Sequence, residues 1–241
     1  MQVHFIVHED FEAPGAFETW AMARGHKVTF SRVYAGQKLP ADVRNIDLLV
    51  VMGGPQDPSV TPDECPHFDS LAEQALIASA VLLGKAVIGV CLGAQLIGEA
   101  LGAPFAHSPE KEIGKFPVFM TAASEHNPLF SHFGHQLDVG HWHNDMPGLT
   151  PGAEIIAWSE GCPRQIVAYS DLVYGFQCHM ELTRSVVELL IAHSGDDLSR
   201  AADYRFVQSA EKLRTHDYTE MNKVLFTFLD KLESRYRRTG S

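Results

Sequence analysis

Cys91 lies in the stretch VIGVCLGAQL (87–96), where an apolar run stops and a helix-like run begins, with Gly89 and Gly93 two residues to either side. A strand that turns sharply into a helix lifts the side chain of the turn residue above the carboxyl edge of the sheet, where open α/β sheets bind ligands. A thiol at such a corner can act as a nucleophile. The positive end of the helix beginning near Leu92 favours thiolate, predicting a pKa lowered into roughly the 3.5 to 7.5 range. The backbone N–H of Leu92 is also free to donate to a developing oxyanion, and the two glycines relieve crowding around the turn. The same position equally suits a small buried hydrophobe closing a core strand, the commonest role of an isolated cysteine.

Two further stretches supply what a cysteine nucleophile needs. In VVMGGP, Gly53 and Gly54 end an apolar run and can adopt backbone angles closed to other residues, which would turn the peptide N–H of Gly54 toward the same edge of the sheet. Taken alone, this is a Gly-Gly-Pro turn. In GFQCHMEL, a strand-like run ends at His179 and Glu181 follows two residues later. Residues i and i+2 of an extended segment share a side, so the Glu181 carboxylate can fix the imidazole while Cys178 points into packing. Histidine suits proton return to a leaving group near neutral pH. With 13 histidines in the chain, His179 stands out only because Cys91 needs a partner.

The elements that would carry these groups alternate along the first half of the chain. Apolar runs at 3–7, 27–33, 47–54 and 86–90 read as strands, and PGAFETWAMARG and FDSLAEQALIASAVLLG read as helices ended by Gly25 and Gly84. Strands too uniformly apolar to have a wet face imply a parallel sheet covered by helices on both sides. After Gly102 come short strand-like pieces, KFPVFMT, HQLDVGHW, AEIIAWS and QIVAYS, which predict an antiparallel or mixed extension. VYGFQCH then returns to the core, LTRSVVELLIAHS reads as a helix, and the tail from about Gly195 carries two more helical patterns.

At 241 residues, 45% hydrophobic and 20% charged, the chain has the composition of a soluble globular protein with a sizeable core. A net charge of −11 argues against a nucleic-acid partner, since the only basic cluster is RYRR near the end. No apolar run is long enough to span a bilayer and the first ten residues lack the form of a signal peptide, so a cytoplasmic location is expected. The four cysteines, Cys65, Cys91, Cys162 and Cys178, form no C-x-x-C pair and are expected to be reduced thiols. His141 and His143 share one face of a strand, but no third ligand stands at metal-site spacing, so no metal is expected.

Together, VVMGGPQDPS, VIGVCLGAQLIGEALG and GFQCHMEL resemble the class I glutamine amidotransferases in order and separation. KEIGKFPV and HWHNDM are similar to the stand-alone branch related to the amidotransferase domain of GMP synthetase. The resemblance implies a flavodoxin-like α/β domain over residues 1–194, with 195–241 a helical extension packed on it. It implies a Cys91, His179, Glu181 triad, oxyanion donors at Gly54 and Leu92, and substrate contacts from Gln95, Glu112, Trp142 and His143. Glutamine would be cleaved to glutamate and ammonia through a thioester, without a cofactor, and a separate synthetase could accept the ammonia. Cys178 and Met180 replace the family's usual residues around His179. The alternatives are a γ-glutamyl peptidase acting on larger conjugates and a non-catalytic binding module of the same fold.

Overall fold

A computed structural model describes residues 1–239 of the chain. In chain order its elements are β1 (Gln2–Val7), α1 (Ala16–Ala23), β2 (Lys27–Arg32), β3 (Leu48–Val51), α2 (Ser70–Leu82), β4 (Ala86–Val90) and α3 (Leu92–Ala100). There follow β5 (Ala106–Met120), α4 (Ala122–His126), β6 (Gln136–Met146), β7 (Glu154–Trp158), β8 (Ile166–Ser170), β9 (Val173–Phe176) and α5 (Arg184–His193). The last elements are α6 (Gly195–Ser199), β10 (Phe206–Val207), α7 (Ala210–Arg214) and α8 (Thr219–Thr239).

The uniformly apolar strands form the parallel half of one sheet, in the order β9-β4-β3-β1-β2. Alternate residues feed opposite faces: Phe5, Leu48 and Val50 join one core, and Ile6, Leu49 and Val51 join the other. Beyond β9 the sheet turns antiparallel through β8, β7 and β5, and β6 pairs with β5. The family-like architecture expected from the sequence is therefore present. The antiparallel pieces are longer than the short runs suggested, because β5 continues back through Glu112 to Ala106 across an irregularity between His107 and Glu112.

The tail is helical, as expected: among its described residues it holds three α-helices and a short 3-10 helix, and β10 adds a short parallel strand to β5 through Phe206 and Val207. Helix α8 buries Met221, Leu225, Phe228, Leu229 and Leu232. Its Phe228 ring lies 5.1, 5.3 and 5.2 Å from the rings of Phe130, Tyr174 and Phe176, so the tail completes the aromatic core beneath β9. No helix among the described residues is long and apolar enough to cross a membrane.

Candidate active site

Residues that follow the carboxyl ends of β1, β3 and β4 converge on one cavity of about 560 Å³, while His179 and Glu181, beyond β9, lie buried behind its lining. Cys91 stands at the base of the cavity, between β4 and α3, with φ 50° and ψ −109°; it is the only non-glycine residue with positive φ among the described residues. Such a backbone is strained and persists only where its surroundings enforce it. The flanking glycines are what allow it. A Cβ on Gly89 would fall 2.2 Å from the carbonyl oxygen of Gly93, and one on Gly93 would fall 2.0 Å from that of Val51. Both positions are closed to any side chain, so the spacing around Cys91 reflects the packing of α3 directly onto β3 and β4.

His179 lies three residues beyond the end of β9 rather than in the strand. Two backbone hydrogen bonds with Gly140 of β6 hold it there, from the His179 N–H to the Gly140 carbonyl at 2.8 Å and in the reverse sense at 3.1 Å. Its Nδ1–H donates to Glu181 Oε1 at 2.7 Å, and both side chains are buried. The other ring nitrogen, Nε2, makes no well-aligned hydrogen bond, and the ring is coupled to the Cys91 thiol. Cys178 is buried in the core on the opposite side.

The charges of this pair depend on each other. Burial works against protonating His179, but Glu181 and Cys91 outweigh it and hold the imidazole pKa well above its usual value. Burial pushes the Cys91 thiol up, while His179 and the Leu92 N–H pull it back without cancelling the rise. The low thiol pKa expected from the helix dipole is thus corrected: the dipole acts on a sulfur that is almost fully desolvated, and desolvation is the larger effect. Thiolate and imidazolium stabilise one another and titrate as a unit.

Gly54 lines the cavity, and its N–H makes no hydrogen bond within the described residues. Neither Gly53 nor Gly54 uses a left-handed φ, contrary to the expectation from sequence. They are small because space is short: a Cβ would sit 2.6 Å from Glu12 Oε2 at position 53 and 2.5 Å from Gln56 Oε1 at position 54. Leu92 directs its N–H toward the sulfur while its side chain is buried in the core.

Among the remaining expected residues, Gln95, Trp142 and His143 line the cavity and Glu112 does not. Gln95 is buried and donates to Gln177 Oε1 at 3.2 Å, while Gln177 Nε2 donates to Cys91 Sγ at 3.4 Å. The Cys91 thiol faces the Trp142 carbonyl at 3.7 Å. Glu112 stands behind the wall, where it accepts from Ser159 Oγ at 2.8 Å and Gln165 Nε2 at 2.6 Å. Its Oε2 is 3.4 Å from His143 Nε2, so Glu112 meets the cavity through His143. The β5–β6 register pairs Glu112 with His143, giving His141 and His143 the third potential metal donor that linear spacing did not reveal.

Comparison with known proteins resolves the fold's affiliation. Residues 18–191 match the family described as glutamine amidotransferase class-I. The chain belongs to that family. It is 56% identical over 232 residues to the glutamine amidotransferase-like protein YfeJ of Salmonella typhimurium, covering 96% of this chain and 97% of that one. Similarity to the glutamine-hydrolysing GMP synthase of Aliivibrio fischeri is 34% over 149 residues, 60% of this chain and 26% of the synthase. The crystal structure of SMU.1228c superposes with a TM-score of 0.95 at 49% identity, over 97% of this chain and 100% of that one.

Within this family fold, several groups at the site escaped the sequence reading. Glu12, from the loop after β1, lines the cavity beside Cys91; burial raises its pKa, opposed by His179. His8 and Glu73 form a fully buried pair under the Gly53–Gly54 turn. The available signal was position, since residues just past the end of a parallel strand in an open sheet face the ligand edge.

Proposed function

We propose that the protein is a cysteine hydrolase of γ-glutamyl amides, cleaving the γ-amide of glutamine to glutamate and ammonia. The observation that carries this reading is the strained placement of Cys91 against a buried His179 held by Glu181, at the base of an open cavity. Attack of the Cys91 thiolate on the γ-carbonyl forms the S–C bond, the thiol proton already resting on His179 Nε2, the nitrogen Glu181 leaves free, in the thiolate–imidazolium pair. The N–H groups of Gly54 and Leu92 then stabilise the oxyanion. Collapse breaks the C–N bond, and His179 protonates the departing nitrogen. A γ-glutamyl thioester remains. Water gives its proton to His179, attacks the thioester and releases glutamate and the thiol. Gln95, the Trp142 backbone and His143 would contact the γ-glutamyl group, with Glu112 bracing His143.

A second reading, hydrolysis of larger γ-glutamyl conjugates, is favoured by the cavity. Its volume of about 560 Å³ leaves room for a substituent on the amide nitrogen. A screen of glutamine against N-substituted γ-glutamyl amides, with glutamate and amine both measured, separates the two. Where ammonia is the product, a separate synthetase would be its acceptor.

Cys91→Ser tests the nucleophile. Replacing sulfur by oxygen preserves the side-chain shape but removes the accessible anion, so turnover should fall by at least about 10³-fold in a folded protein. Turnover close to wild type would assign the nucleophile elsewhere.

A further inference from the structure

His8 ends in two hydrogen bonds to acceptors. Its Nδ1 lies 2.9 Å from the carbonyl oxygen of Gly53 and its Nε2 2.9 Å from Glu73 Oε2. A carbonyl and an ionised carboxylate only accept, so with Glu73 ionised both ring nitrogens donate and the ring is an imidazolium; burial opposes that charge, but Glu73 and the Gly53 carbonyl outweigh it and raise the His8 pKa. Both side chains are fully buried. Burying such a pair is costly, and nothing in the hydrolytic steps above uses it.

What the imidazolium holds is one half of a single peptide unit. The carbonyl of Gly53 and the N–H of Gly54 share one planar trans amide, in which C=O and N–H point in opposite directions. Anchoring the carbonyl behind the turn therefore fixes the direction of the N–H in front of it. That N–H has no partner within the described residues, and Gly54 lines the cavity with Cys91. A Gly-Gly pair is otherwise free to rotate this peptide, because glycine tolerates many backbone angles.

We propose that His8, with Glu73 behind it, is a positioning dyad that locks the Gly53–Gly54 peptide so that the Gly54 N–H faces the oxyanion formed on Cys91. The assignment rests on the hydrolase reading above and specifies how that site obtains one of its two donors. His8 does not touch the substrate. Its effect passes through the peptide, and it adds a fixed positive charge behind the donor. Glu73 keeps both ring nitrogens protonated and the ring in plane.

The test separates binding of the tetrahedral state from binding of the ground state. A γ-glutamyl aldehyde adds the thiol of Cys91 across its carbonyl and presents an oxygen to the oxyanion donors, whereas glutamate, the product, does not. In His8→Leu/Glu73→Leu, where an apolar pair replaces the buried ions and avoids a stranded carboxylate, kcat should fall roughly 10²–10³-fold, as for loss of one oxyanion donor. Aldehyde affinity should fall in parallel, while KM and glutamate affinity stay within about threefold. His8→Asn/Glu73→Leu retains a side-chain N–H at the position of Nδ1 and should recover at least about tenfold of the kcat lost in the double-leucine variant.

Three results would overturn the assignment. If the double variant keeps kcat and aldehyde affinity, the peptide is held by other means. If glutamate and aldehyde binding fall equally, the pair merely supports the cavity. If the wild-type protein forms no aldehyde adduct at Cys91 and hydrolyses no γ-glutamyl amide, the hydrolase reading itself fails, and the dyad's role with it.

Discussion

Gly93→Ala asks whether the contact between the cysteine turn and β3 controls the site. The new Cβ would stand 2.0 Å from the Val51 carbonyl oxygen and 2.7 Å from its carbon. An ordinary carbon–oxygen approach is about 3.3 Å, so α3 and the end of β3 must separate by roughly 1.3 Å (3.3 − 2.0). Both neighbours are backbone, and no flexible side chain can absorb the shift. The chain continues from Val51 through Met52 into Gly53 and Gly54, so the displacement reaches the proposed oxyanion donor two peptides later. Overpacking of this kind costs about 1–3 kcal/mol, which a domain of ordinary stability survives. Misplacing a catalytic group by about 1 Å costs about 10²-fold in rate. The expected outcome is a folded protein with a modestly lower denaturation midpoint and kcat reduced roughly 100-fold. Gly152→Ala, at a position with open space and no positive φ, serves as the control and should change neither quantity. Gly93→Ala with the predicted loss of stability but kcat within threefold of wild type would refute the link between this packing and the donor.

Two other expectations concern the ionisable groups. Glu181→Gln keeps a hydrogen-bonding partner for His179 Nδ1 but removes the charge that stabilises the imidazolium, so kcat should drop about 10²–10⁴-fold with a smaller change in KM; steady-state kinetics on a γ-glutamyl amide checks this, and an unaltered kcat would transfer the orienting role to another acid. His4, buried in β1, is lowered by burial from 6.5 to about 4. Its folded pKa lies below its unfolded one, so its contribution to stability is present above pH 6.5 and is lost as the pH falls toward 4. At 1.36 kcal/mol per tenfold change in proton affinity this amounts to roughly 3 kcal/mol. Denaturant titrations of His4→Gln between pH 7 and 4 should show a flatter decline than wild type, and identical slopes would exclude His4 as a source of acid sensitivity.

What the sequence made legible was local. The uniformly apolar runs of β3 and β4 announced strands buried on both faces, and the spacing of Gly89, Cys91 and Gly93 announced a turn whose neighbours must lack side chains. The two-residue step from His179 to Glu181 gave their hydrogen bond, because i and i+2 share a side even in the irregular segment after β9. Everything that depends on the register between distant strands was hidden. Glu112 has the residue type of a substrate contact, yet its carboxylate is taken up by Ser159 and Gln165 and lies beside His143, its partner across β5 and β6. The Cys91 thiol failed the dipole argument for a related reason. The helix end beside it is a local feature, whereas its desolvation is supplied by surroundings gathered from across the fold, including the Trp142 backbone and Gln177. His8 shows the same limit in sharper form. Alone at the end of β1 it is one histidine among 13, and only the parallel pairing of β1 with β3 carries it beneath Gly53. A motif therefore nominates the reacting groups of the proposed hydrolase, while the sheet order decides how strongly each is held, and here the two kinds of information meet at the Gly53–Gly54 peptide.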